Sequence, residues 1–203
     1  MAGKTGEKGV KPVWKWVGVG TVLAAAGAAA WYARERLIEE ARFRLIEEDG
    51  DIELRDYPAL LVAETIAPGT RQPALSEGFA RLAAFIGGKG RGGGRIAMTV
   101  PVLAAEVPGG WRKRFVMPAA QTRATLPAPP TGVTIASLPE RRVAAIRFGG
   151  TPDDARLAGR EEVLRRWMHK RGLIALGDAE HAFYNSPAIP GPLRRSEVLI
   201  PTG

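Results

Sequence analysis

Pro68-Gly69-Thr70-Arg71-Gln72-Pro73-Ala74-Leu75-Ser76-Glu77-Gly78-Phe79-Ala80-Arg81-Leu82-Ala83-Ala84-Phe85-Ile86 opens a stretch that continues through a glycine-rich break, 87–94, to Arg95-Ile96-Ala97-Met98-Thr99-Val100-Pro101-Val102-Leu103. Leu75, Phe79, Leu82 and Ile86 recur at i, i+4, i+7 and i+11, the spacing of one helical face, and predict a helix over 71–86. Pro73 is tolerated in a first turn, and Gly87 stands where a left-handed cap is wanted. Ile96 to Leu103 is a short apolar run broken by Pro101, which predicts an edge or bulged strand.

The unit occurs twice. An offset of 81 residues pairs 52–86 with 133–167 without a gap and matches Pro58/Pro139, Val62/Val143, Ala63/Ala144, Gly69/Gly150, Thr70/Thr151 and Gly78/Gly159. Beyond the helix the offset moves to 86, where Pro101 meets Pro187. Strand, Gly-Thr turn and helix recur in one order. An internal duplication (repeats at about 52–103 and 133–201) is therefore expected, with both helices on one sheet about a pseudo-twofold axis. The second helix, 152–171, has Thr151 as expected N-cap and Pro152 at its first position.

Outside the repeats, residues 1–15 form a basic tail, and Trp16 to Ala33 are 18 residues without a charge. At ~1.5 Å per residue they span roughly 27 Å, close to the ~30 Å bilayer core. Trp14 and Trp16 at one end and Trp31 and Tyr32 at the other have the character of interfacial belts. A single-pass transmembrane anchor is expected, its domain on the periplasmic or extracytoplasmic side. The alternatives are a signal peptide cleaved near Ala28-Ala29-Ala30 and a buried soluble helix. Residues 34–41 read as a charged helical spacer before a domain at 42–203, and Asp49-Gly50 between short alternating runs predicts a hairpin.

The net charge is +8, but beyond residue 33 the balance is 25 basic to 20 acidic, with the arginines scattered. No aromatic-interleaved basic motif occurs, so no nucleic-acid partner is expected. The absence of cysteine removes disulfides, thiolate catalysis and cysteine-ligated metals. His169 and His181 have no partners at metal-ligand spacing, so no metal site is expected. The glycine run follows a helix rather than preceding one and offers an anion no helix N-terminus. Glu64 and Glu106 are isolated carboxylates.

Six stretches, taken in order, resemble the SOUL haem-binding protein family: Glu53-Leu54-Arg55-Asp56-Tyr57-Pro58, 77–88, Ile96-Ala97-Met98-Thr99-Val100-Pro101-Val102, Phe115-Val116-Met117-Pro118, Leu126-Pro127-Ala128-Pro129 and Arg194-Arg195-Ser196-Glu197-Val198. The resemblance covers about 41–201. It implies an α+β fold: a twisted antiparallel sheet or distorted barrel with two helices and a pseudo-twofold internal repeat, here preceded by one transmembrane helix. It also implies non-catalytic binding of haem or another tetrapyrrole against the first helix. By position, Phe79, Leu82, Ala83 and Ile86 would line that groove, Tyr184 would lie across it, and Arg81 or Arg71 would meet the propionates. Asp56 stands where some members carry an iron-ligating histidine, so haem is expected to bind with a weak or absent axial ligand. Burial of roughly 300 Å² at ~25 cal/mol/Å² gives about 7 kcal/mol gross, consistent with low-affinity, exchangeable binding. The expected role is a membrane-anchored carrier or buffer. The alternatives are a GyrI-like small-molecule-binding domain hydrolysing its ligand through Glu64 or Tyr184, and a bacterial envelope protein binding another hydrophobic ligand.

Overall fold

A computed structural model describes residues 38–88, 94–186 and 188–203. The expected membrane-spanning stretch 16–33 lies outside these residues, and among the described residues no helix is long and apolar enough to cross a membrane. Residues 38–203 make one compact unit. Its elements are β1 (Glu39–Glu40), β2 (Arg44–Asp49), β3 (Ile52–Tyr57), β4 (Leu60–Ala67), α1 (Arg71–Ile86), β5 (Thr99–Val100), β6 (Val102–Val107), β7 (Gly110–Val116), β8 (Thr134–Leu138), β9 (Arg141–Gly149), α2 (Asp154–Lys170), β10 (Glu180–Phe183) and β11 (Arg195–Thr202).

Nine strands form one antiparallel sheet in the order β2-β3-β9-β11-β10-β6-β7-β4-β8. Two short links make it curl. Tyr57 to Leu60 and Leu138 to Arg141 each join strands six places apart in that order. Three Cα steps reach at most about 11 Å, whereas six strand spacings on a flat sheet would cover roughly 29 Å. The sheet curls into a half-barrel with β2 and β8 at its edges.

The strand registers carry the duplication. An offset of 81 turns the β3–β9 pairs Leu54↔Ala144 and Arg55↔Val143 into the β8–β4 pairs Ile135↔Ala63 and Ala136↔Val62. The expected shift to 86 does not occur. Val62↔Val116 maps onto Val143↔Pro201, an offset of 85 for the last strand. Ala104↔Lys113 maps onto His181↔Val198, an offset of 77 for the strand before it. The reason is the last connection, 184–194, which replaces the tight turn at 108–109. Ala104 and His181 are themselves partners, so the pseudo-axis passes between them.

Both helices lie on the same face. Ala63 packs beneath α1 with Leu82 and Phe85, and its equivalent Ala144 packs beneath α2 with Leu157 and Leu164. Val62 and Val143 point the other way, into a cluster inside the curl with Tyr57, Leu103, Leu199 and Tyr184.

Four local expectations are corrected. Glu39–Glu40 are not helical but pair in parallel with Thr99–Val100. The run 96–103 is not an edge strand: Pro101, which lacks an N–H, separates β5 from β6, and β6 lies mid-sheet between β10 and β7. The N-cap of α2 is Asp153 rather than Thr151, because its carboxylate accepts from Arg156 N at 2.8 Å and the helix starts two residues later. Gly87 stays right-handed at φ −71°, and Gly88 takes the left-handed position at φ +73°.

Candidate functional site

Strand alternation builds two opposed environments. Inside the curl, polar residues flank the apolar cluster. The Arg55 guanidinium, 1% exposed, donates to Glu197 Oε2 at 2.6 Å and Oε1 at 3.1 Å, and to Glu53 Oε2 at 2.7 Å. The Tyr184 hydroxyl donates to Glu197 Oε2 at 2.8 Å, and Arg195 Nη2 to Glu197 Oε1 at 2.9 Å. Burial pushes the Glu197 carboxyl up, but Arg55 and then Arg195 outweigh it and hold the carboxyl at about 2. A second group joins Glu64 to Arg114 at 2.8 Å and Glu180 to Arg114 and Arg141. This interior is occupied by charges that satisfy one another.

Outside the curl, the two helices straddle the pseudo-axis. The sheet floor between them is set by register: the row Phe115–Val102–Phe183, then the row Lys113–Ala104–His181, then Trp111 beside Glu106. Val102 and Ala104 of β6 lie between aromatic and basic side chains on the two neighbouring strands. The Trp111 and His181 rings are 5.8 Å apart, His181 and Phe183 6.5 Å, and Phe79 and Phe115 5.4 Å. Arg71, from the first turn of α1, donates to Asp154 Oδ1 at 2.5 Å and to Pro152 O at 2.8 Å, tying the two helix starts together. Beside this tie opens a cleft of about 820 Å³, floored by Trp111 and His181 and walled by Leu157, Ala158 and Arg165 of α2.

Two groups here are held out of their ordinary range. Lys113 Nζ is buried beneath α1, donates to Leu75 O at 2.9 Å and lies 5.2 Å over the Phe79 ring. Burial, then Arg71, lowers its pKa to about 8. Room for its stem comes from Gly78, where a Cβ would stand 3.3 Å from Lys113 Cβ. His181 is lowered to about 4, by burial and then by Arg71, and its Nδ1 is buried without a hydrogen-bond partner.

The six residues expected at the site are not brought together. Leu82 and Ile86 are buried in the core beneath α1, with Ala83 packed against it. Phe79 is 40% exposed, packed over Phe115 of β7 and outside the lining of the cleft. Arg81 lies on the opposite flank, paired with Glu77 and donating to Ile66 O at 3.3 Å. Tyr184 is buried inside the curl, across the sheet from α1. Arg71 does reach the cleft. Trp111 and His181 escaped the sequence reading; the signal for them was alternation, which sets Trp111, Lys113 and Phe115 on one face of β7 and His181 with Phe183 on one face of β10.

The fold is shared with solved structures of low identity. A conserved protein from Listeria innocua matches with a TM-score of 0.54 and 12% identity, over 75% of this chain and 92% of the other. The EcmrR C-terminal domain matches with a TM-score of 0.51 and 11% identity, over 79% and 98%. A hydrolase from Listeria innocua matches with a TM-score of 0.50 and 14% identity, over 75% and 92%. At such identity the likeness is one of fold alone. No curated protein matches the chain. The SOUL heme-binding protein family matches residues 38–201, the whole of the half-barrel and both helices. The chain belongs to the SOUL haem-binding protein family.

Proposed function

We propose that this protein binds haem or a related tetrapyrrole, exchangeably and without catalysis, in the cleft between α1 and α2. We further propose that it acts as a carrier or buffer, held at a membrane by residues 16–33 with the half-barrel on the extracytoplasmic side. The observation that carries the reading is the cleft itself: about 820 Å³, open to solvent, with an aromatic floor at Trp111 and His181. That volume falls within the usual ~300–1,000 Å³ of small-molecule sites. Arg71 and Arg165 on its walls are paired with Asp154 and Glu161, and Glu106 and Asp178 also line it, so the fit rests on the size of the cleft and its aromatic floor rather than on charge. The opposite face supports the choice, since charges at Arg55, Glu197, Arg114 and Glu180 already pair within the curl. The side chains considered for hydrolysis are engaged too: Glu64 with Arg114, and the Tyr184 hydroxyl, its pKa pushed up by burial, with Glu197.

The test is a haemin titration of the full chain followed in the visible spectrum. Ala158 lines the cleft and is exposed, so Ala158→Trp fills the site without disturbing the core. It should weaken binding by at least about tenfold, or 1.4 kcal/mol. Tyr184→Phe should leave affinity within about twofold, since the ring faces the other side of the sheet. The reverse pattern would move the site into the curl and overturn the proposal.

A further inference from the structure

The duplication leaves one strand over. β3 and β8 are equivalent under the 81-residue offset, yet β2 flanks β3 on its outer side while β8 ends the sheet. β2 therefore has no counterpart in the second repeat. It is also a bare strand: every residue but Glu47 is exposed, Leu45 and Ile46 among them. Among the described residues no strand adjoins its outer side, so its outward N–H and C=O groups stand outside the ladder. Its alternation is broken at one place. Arg44 pairs with Asp56 and Glu47 with Leu54, so a bulge at Ile46 puts residues three apart on the same face, the one that bears α2. Asp49, opposite Ile52, shares that face, whereas Leu45, opposite Arg55, and Glu48, opposite Glu53, turn into the curl.

We propose that β2 is a self-recognition edge: two copies of this chain pair their β2 strands antiparallel, about a twofold axis between Leu45 and Ile46, and so join two sheets. In that register Arg44 faces Glu47 of the second copy, Arg42 faces its Asp49, and Leu45 faces its Ile46; the twofold repeats each contact. A slip of one residue in either direction keeps a single opposite-charge pair, Arg42 with Glu48 or Arg44 with Glu48, so charge selects the register. The bulge is what permits it. In an unbroken strand residues three apart lie on opposite faces, and Arg44 could not meet Glu47 across a twofold perpendicular to the sheet. The charged groups are within reach of a partner. Arg44 is bound to Asp56 at 2.6 Å, yet its side chain is 74% exposed. Glu47 accepts from Arg171 through Oε1, and Asp49 accepts from Arg171 and Trp167 through Oδ2, so each carboxylate is engaged there by one oxygen. The same features turn other strands away. A bulge and three consecutive carboxylates discourage pairing with an arbitrary edge, whereas a second copy brings the arginines that answer them. The inference stands apart from the tetrapyrrole reading, since no residue of β2 lines the cleft.

The test uses the full chain in detergent micelles. Sedimentation should show a concentration-dependent dimer, weak because the paired edges are short. Arg44→Glu and Glu47→Arg should each weaken self-association by about tenfold or more, since each sets like charges opposite one another. Mixed, the two variants should associate with each other about tenfold more tightly than either does with itself, because every 44–47 contact in the mixed pair joins an acid to a base. A purely structural role for either residue would not give that mutual rescue. The chain has no cysteine, which supplies a second readout. Mild oxidation of Leu45→Cys should link two chains, and Ser137→Cys on β8, the opposite edge, should not link them. Should the charge variants fail to fold, this disulfide decides. Dimers that Arg44→Glu leaves unchanged would place the contact on another surface, residues 1–37 included, and overturn the proposal. A chain that stays monomeric up to about 0.5 mM, with no disulfide from Leu45→Cys, overturns it as well; that is the result expected if residues 1–37 of the same chain cover the edge.

Discussion

Arg55 and Glu197 show how a buried charge is tolerated here. Each is almost fully enclosed, and each is met by more than one partner: Arg55 by Glu197, Glu53 and the Phe43 ring 4.3 Å from Cζ, Glu197 by Arg55, Arg195 and Tyr184. Glu197→Gln leaves Arg55 and Arg195 facing a neutral amide, and should cost about 3–5 kcal/mol in urea unfolding. The pH dependence has a definite sign. The carboxyl titrates near 4.5 when free and at about 2 when folded, so below 4.5 the unfolded chain takes up the extra proton. The stability it contributes is whole above 4.5 and falls by about 1.4 kcal/mol per unit as the pH drops toward 2. Glu197→Gln should lack this acid-sensitive part; an unchanged slope in the variant would remove Glu197 from the account. None of this was legible in sequence. The motif Arg194-Arg195-Ser196-Glu197-Val198 marked the family, but its glutamate is satisfied by an arginine 142 positions away, a pairing that only the sheet order creates.

The helices were the most legible elements. The stripe of Leu75, Leu82 and Ile86 forms the buried face of α1 as spaced, and Leu157, Leu164 and Met168 do the same for α2. Their ends were less legible, because Thr151, Asp153 and Asp154 are all competent caps and only backbone conformation selects among them: Asp153 is extended at φ −71°, ψ 167°. Glu39–Glu40 have the composition of a helix but form a strand, since Thr99–Val100 offer them a free edge. The element 16–33 makes its own prediction. Its uncharged length and aromatic ends should keep the full chain in the pellet after alkaline carbonate extraction. Recovery of the intact chain in the supernatant would count against the anchor, and a shortened chain would point to cleavage.

At the largest scale, the described residues apart from β1, β2 and β5 are two copies of one strand–strand–helix–strand–strand unit, and the cleft opens beside the Arg71–Asp154 tie between their helix starts. The 81-residue offset was readable because the spacing from the first strand through the helix is the same in both halves, although each element differs by a residue in length. The later offsets were not, because 184–194 lengthens one connection and Pro101 matched Pro187 by coincidence of type. With that shift missed, His181 could not be set opposite Ala104, nor the site on the axis. The two-sided sheet also explains why Tyr184 and α1 cannot share a ligand: the half-barrel wall stands between them. The most direct measurement is hydrogen–deuterium exchange of the full-length protein with and without zinc protoporphyrin. Binding between the helices should slow exchange in the helix starts, 71–79 and 154–165, and in the hairpin 107–111. Slowed exchange confined to 52–57 and 195–202 would place the ligand inside the curl and contradict the interhelical site.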